Sequence, residues 1–121
     1  MSWTLRWLVA YCFTHLVEMG VYVNALGLSG DTARPMRERL AIAFGASAIT
    51  HPLVWFAIPD ACYELGLSHW WTIVAIAEAF ALIAETLWLA AFGVRRAFFW
   101  SFFANGSSYL VGLFCYLVLD W

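Results

Sequence analysis

Charge is what this sequence has least of. Of its 121 residues only 12% are charged, against 64% hydrophobic, roughly half the charged share of an average soluble domain. That balance excludes a water-soluble globular domain and leaves a membrane composition. The basic residues, six arginines, sit in short segments between apolar runs and form no basic stripe, so nucleic acid is excluded as a partner. Cys12, Cys62 and Cys115 are odd in number and follow neither CxxC nor Cys/His spacing, so neither a disulfide framework nor a zinc site is expected. A Gly-rich phosphate loop, a nucleophile elbow and a zinc-protease helix are all missing. Familiar hydrolase and nucleotide-hydrolysing chemistry therefore has no support, and the chain reads as non-enzymatic.

What the sequence does have is apolar runs of helical length. At about 20 residues per span it holds four, and the runs predict helices at about 3–26, 38–58, 68–92 and 96–119 within a single domain, 1–121. The expected fold is an all-α integral membrane protein, a four-helix transmembrane bundle. "GLSGDTARPMRER" reads as the first loop. Pro52 is expected to kink helix 2 beside His51, and Pro59 to end it. Ser68 is the expected N-cap of helix 3 and Gly93 the residue just past its end. Arg6 before an apolar stretch and "VNA" at 23–25 imitate a secretory signal, but a signal core would not carry His15 and Glu18. Helix 1 is expected to be retained.

Orientation follows from the arginines. Arg34, Arg37 and Arg39 fall in the first loop and Arg95 and Arg96 in the third, whereas the opposite side has Arg6 with Asp60, Glu64 and Asp120. The positive-inside rule then puts both termini outside, N-out and C-out, in what reads as a bacterial cytoplasmic membrane. Trp3, Trp7, Trp55, Trp70, Trp71 and Trp121 gather toward the outer side, and Trp88 and Trp100 toward the inner one. This is an aromatic belt or, equally, a docking face for a partner. "RLAIAFGASAITHPLVWF" (39–56) and "RAFFWSFFANGSSYLVGLF" (96–114) both open on arginine and carry a small-polar cluster, while "HLVEMGVYV" (15–23) and "LIAETLWLA" (82–90) share a central glutamate. Two repeated helical hairpins would produce this pattern.

Every helix has a polar stripe. Tyr11, His15, Glu18 and Tyr22 share one face of helix 1. Helix 2 supplies Ser47, Thr50 and His51, and helix 3 supplies Glu78 and Glu85. Helix 4 supplies Ser101, Asn105 and Ser108, with Ala104, Ser108 and Gly112 as a small-residue ridge for close packing. At ~1.5 Å per residue, His15, His51, Glu78 and Ser108 fall near the bilayer midplane, and Glu18, Ser47, Glu85 and Asn105 form a second layer toward the cytoplasm. In that layer Glu18 and Glu85 are expected to meet Ser47 and Asn105. A carboxylate near the bilayer centre costs at least ~2.5 kcal/mol, so these groups should be paired or protonated.

Two readings of the stripes follow: a hydrogen-bonded network that fixes helix register, or a proton- or ion-binding site. His15 and His51 at similar depth also admit haem, and with Glu78 a transition metal. Yet His15-x-x-Glu18 reverses the Glu-x-x-His order of di-iron bundles, and no second such motif exists. No cofactor is predicted. Length, four helices and a glutamate in helix 1 resemble the small multidrug resistance transporters in architecture. Their glycine-rich third helix is missing, because helix 3 carries Glu78 and Glu85 instead, and no residue role is carried over. The leading expectation is a non-enzymatic accessory or structural subunit of a larger membrane complex, with the lipid bilayer and other membrane subunits, or further copies of itself, as partners. The alternatives are a small proton- or ion-coupled transporter or channel component using Glu18, Glu78 and Glu85, and a haem- or metal-binding membrane protein.

Overall fold

Backbone groups facing lipid must be satisfied within the chain, and helices do this segment by segment. The structure, a computed structural model describing residues 2–28 and 34–118 except the side chain of Trp3, is 88% helix with no strand among the described residues. Trp121, Asp120, the Trp3 side chain and residues 29–33 of the expected first loop lie outside the described residues. Helix α1 is Trp3–Leu28, α2 is Met36–Glu64, α3 is Trp70–Ala91 and α4 is Ala97–Val118. Three of them, α2, α3 and α4, are long and apolar enough to cross a membrane. Helix α1 has the length, 26 residues, but His15, Glu18 and Asn24 lower its apolarity.

Helix 2 does not end at Pro59 as expected. After Pro52 the chain widens into a π-type turn over Leu53–Ala57, closed by the Ile58 N–H donating to the Leu53 carbonyl. This resets the register. Pro59 then falls in the first turn of the segment Ile58–Glu64, where a missing N–H costs no hydrogen bond. Ser68 is likewise not the cap of α3. His69 precedes the helix, and its carbonyl accepts from the N–H groups of Thr72, at 3.0 Å, and Ile73, at 3.2 Å.

Gly93 does end α3, with φ 78°. The Val94 N–H donates to the Leu89 carbonyl and the Gly93 N–H to that of Ala90, at 3.1 and 3.0 Å, a pair of bonds that only a left-handed residue at this point permits. Gly66 closes α2 in the same way, with Leu67 N–H on Cys62 O and Gly66 N–H on Tyr63 O at 2.8 and 3.0 Å.

Each helix packs on the two that neighbour it around the bundle: α1 on α2 and α4, α3 on α2 and α4. Helices α1 and α3 are therefore diagonal, as are α2 and α4. Small residues set the close approach, with Ala25, Ala43, Ala46 and Ala104 all buried beside Tyr22 and Leu89. Two arginines of the first connection also tie helix ends together. Arg34 donates to the Phe92 carbonyl at 2.6 Å, neutralising the C-terminal end of α3, and Arg39 Nε donates to the Arg34 carbonyl at 2.9 Å. The Arg39 guanidinium lies so close to Gly27 that a Cβ there would stand 2.6 Å from it.

The outer surface inverts the pattern of a soluble protein. Leu16 is 70% exposed, Leu87 65% and Leu110 64%, whereas Glu85 is 1% and Glu18 3% exposed. Apolar outside and polar inside, together with three helices of spanning length, mark the chain as a membrane protein.

Candidate functional site

The inward stripes close on two carboxyl groups. Glu18 of α1 accepts from the Ser47 hydroxyl of α2 through Oε2, and from the Ser108 hydroxyl of α4 through Oε1 at 2.9 Å. Glu85 of α3 accepts from Asn105 Nδ2 of α4 through Oε2 at 2.7 Å, from the Thr50 hydroxyl of α2 through Oε1 at 2.8 Å, and from the Tyr22 hydroxyl of α1. The last bond crosses the diagonal of the bundle. All four carboxyl oxygens are thus occupied by side chains of neighbouring helices, which resolves how two acids survive where water is scarce.

The two sites match one another. Shifting numbers by 67 carries Glu18 onto Glu85, and shifting by 58 carries Ser47 and Thr50 onto Asn105 and Ser108. Each glutamate takes its first partner, Ser47 or Asn105, from the helix that follows it, and its second, Ser108 or Thr50, from the helix on the other side. Tyr22 is the asymmetric element, since its counterpart under the same shift is Leu89.

The second partners can reverse. Thr50 Oγ1 lies 3.1 Å from the Ala46 carbonyl, and Ser108 Oγ lies 3.0 Å from the Asn105 carbonyl. Each hydroxyl can therefore donate to the carboxylate, or accept from a protonated carboxyl and send its own hydrogen to the helix backbone. The network holds either protonation state without losing a hydrogen bond. Asn105 is fixed in turn by its Nδ2 contact to the Ser101 carbonyl at 2.9 Å, and Ser101 donates to the Leu82 carbonyl of α3 at 3.1 Å.

His15 and His51 do not join this layer. They form an aromatic layer between α1 and α2, in which the Tyr11 ring centroid is 5.2 Å from that of His15 and 4.9 Å from that of His51, and Phe44 meets His15 edge-on at 4.7 Å. Both nitrogens of His15 and Nε2 of His51 are buried with no hydrogen-bond partner among the described residues.

Glu78 lies elsewhere again. It lines a lipid-facing groove of about 230 Å³ between α3 and α4, with Leu82, Phe102, Asn105, Gly106 and Tyr109. The three metal candidates, His15, His51 and Glu78, are therefore not brought together. Among the described residues no group of three or more His, Cys, Asp or Glu could hold a metal ion. Of the small-residue ridge, Ala104 and Ser108 are buried at 0% and 6%, whereas Gly112 is exposed, with nothing within 4 Å of a Cβ built there.

Two contacts had no sequence signal. Trp88 lies across Gly45, where a Cβ would stand 2.7 Å from the indole, and its Nε1 donates to the Ile42 carbonyl at 3.0 Å. The bond from Tyr22 to Glu85 joins residues 63 apart. No protein-family model, curated protein or solved structure matches the chain.

Proposed function

We propose that this chain is a small non-enzymatic accessory subunit of a larger membrane assembly, a four-span bundle of two related hairpins. The observation that carries the reading is the closed interior. Glu18 and Glu85 are saturated by donors of the same chain, an arrangement suited to fixing helix register rather than to taking up and releasing cargo. Helix α1 counts as the fourth span because its length corresponds to ~39 Å, more than the ~30 Å of a hydrocarbon core. Its His15, Glu18 and Tyr22 also turn inward, while Leu5, Leu8, Phe13 and Leu16 are exposed. The arginine count supports N-out and C-out insertion in a bacterial inner membrane. Chain mass outside the bilayer is slight, so the function of such a subunit is exercised through its lipid-facing sides.

Native mass spectrometry of the tagged full chain, gently extracted from its own membranes, tests the reading. The expected result is one larger partner at fixed stoichiometry. A chain that runs alone or as a stable homodimer would overturn it. The observation favouring a second reading, proton- or ion-coupled transport, is Glu78, a membrane carboxyl that opens on a groove. In that case Glu78→Gln would abolish flux in reconstituted vesicles.

A further inference from the structure

We infer that the groove between α3 and α4 seats a transmembrane helix of a partner protein, whose lysine or arginine side chain reaches Glu78. The inference rests on the accessory-subunit reading and names the face and chemistry of the contact.

Glu78 sits ~4 Å from the middle of α3 along its axis, half-buried, and no donor among the described residues hydrogen-bonds it. Glu18 and Glu85, by contrast, are fully partnered. A carboxyl left at this depth calls for a cation or donor from outside the chain. A second copy has no cation to offer at this depth: the chain contains no lysine, and its arginines lie at positions 6, 34, 37, 39, 95 and 96, at the helix ends. His15 and His51 are buried, 7% and 8% exposed, and His69, exposed, stands just before the first residue of α3, at the end of the helix and not at the level of Glu78. The complementary charge has to come from a different protein.

The internal correspondence says the slot is built to be filled. The shifts that superpose the two glutamate sites carry Glu78 onto Tyr11, Leu82 onto His15, Phe102 onto Phe44 and Tyr109 onto His51. In the first hairpin those four residues are linked in a chain of ring contacts, Phe44 to His15 to Tyr11 to His51. In the second hairpin the same positions leave a groove of about 230 Å³. Its floor suits a helix: Ala79 is small, and nothing lies within 4 Å of a Cβ built on Gly106, so a backbone can approach closely. Phe102 and Tyr109, 61% and 42% exposed, stand as rims.

The test places a photo-crosslinking phenylalanine analogue at Phe102 of the full chain in its native membranes, with Leu16 on α1 as the control position, and sequences the cross-linked peptides. The expected product from Phe102 is a transmembrane segment of another protein carrying Lys or Arg within its apolar run. Glu78→Lys should lower the yield at least about tenfold, and exchanging the partner's basic residue for glutamate should restore it. Gly106→Leu, which extends into the groove from a position with nothing within 4 Å of a Cβ, should lower the yield without lowering the unfolding temperature of the purified chain. Cross-links to a second copy, to lipid alone or to a segment without a basic residue would overturn the inference, as would a yield indifferent to both variants. Saturable binding of tetraphenylphosphonium to the purified chain, lost in Glu78→Gln, would overturn it too by assigning the groove to a small cation. A partner that co-purifies but cross-links only from other faces ends this inference and leaves the accessory reading standing. No partner at all ends both.

Discussion

Replacing Glu85 by leucine is expected to lower the unfolding free energy of the purified chain by about 2 to 6 kcal/mol, enough to unfold much of it in mild detergent. Three donors from three helices converge on this side chain: Tyr22, Thr50 and Asn105. Hydrogen bonds between transmembrane helices average ~0.6 kcal/mol each, which sets the lower limit at about 2. Donors left unsatisfied in a dry interior cost ~1–3 kcal/mol apiece, and three at the middle of that range set the upper one at about 6. Thr50 can turn to the Ala46 carbonyl and Asn105 keeps the Ser101 carbonyl, but the Tyr22 hydroxyl, on a side chain 0% exposed, only accepts in its 3.4 Å contact with Asn105 Nδ2, which leaves its own hydrogen unsatisfied there. Against a total stability of roughly 5–15 kcal/mol the loss is large. Denaturant unfolding followed by far-ultraviolet circular dichroism reads it directly. A leucine variant as stable as the parent would mean that Glu85 is not the junction of the bundle.

The second large effect is expected at Gly45. Leucine there must displace the Trp88 indole, which a Cβ alone would meet at 2.7 Å. The ring has little freedom, because Nε1 is held by the Ile42 carbonyl at 3.0 Å and Phe92 packs against it at 5.2 Å between centroids. Overpacking costs ~1–3 kcal/mol and the lost indole bond ~1 kcal/mol, while leaving glycine gains back ~0.8 kcal/mol of helix propensity. The net expectation is a loss of about 1 to 3 kcal/mol. Trp88→Leu should be less harmful in the Gly45→Leu background than alone, and a double-mutant cycle measures that coupling. Strictly additive effects would contradict the close contact.

Both effects turn on contacts the sequence reveals only in part. Periodicity places Glu18, Ser47, Glu85 and Asn105 on inward faces, and the depth arithmetic puts the four in one layer, because antiparallel neighbours of similar length bring equal depths together; which carboxyl meets which partner, Glu18 with Ser47 and Glu85 with Asn105, is seen only in the structure. It does not reveal that Tyr22 reaches across the bundle, since a stripe gives a direction but not a partner. Nor does it separate Glu78 from Glu85: seven residues apart, they share a stripe, yet one is buried and the other opens on a groove. How far two helices stand apart at a given level depends on the side chains of both, Gly106 and Ala79 among them. Pro59 misled for a related reason. A proline excludes one hydrogen bond, and the π-type turn over Leu53–Ala57 had already removed the need for it. Gly93 was readable because a glycine after a long apolar run has few other uses.

The central claim is that the interior carboxyls lock the helices by hydrogen bonding, irrespective of charge. The most direct measurement is the unfolding free energy of the Glu18→Gln, Glu85→Gln double variant. Glutamine can accept from Ser47, or from Tyr22 and Asn105, through its oxygen. Its amide can donate to Ser108 or Thr50, which then turn to the Asn105 and Ala46 carbonyls. The account predicts stability within about 1 kcal/mol of the parent, with the native complex intact. A loss as large as that of Glu85→Leu would contradict it.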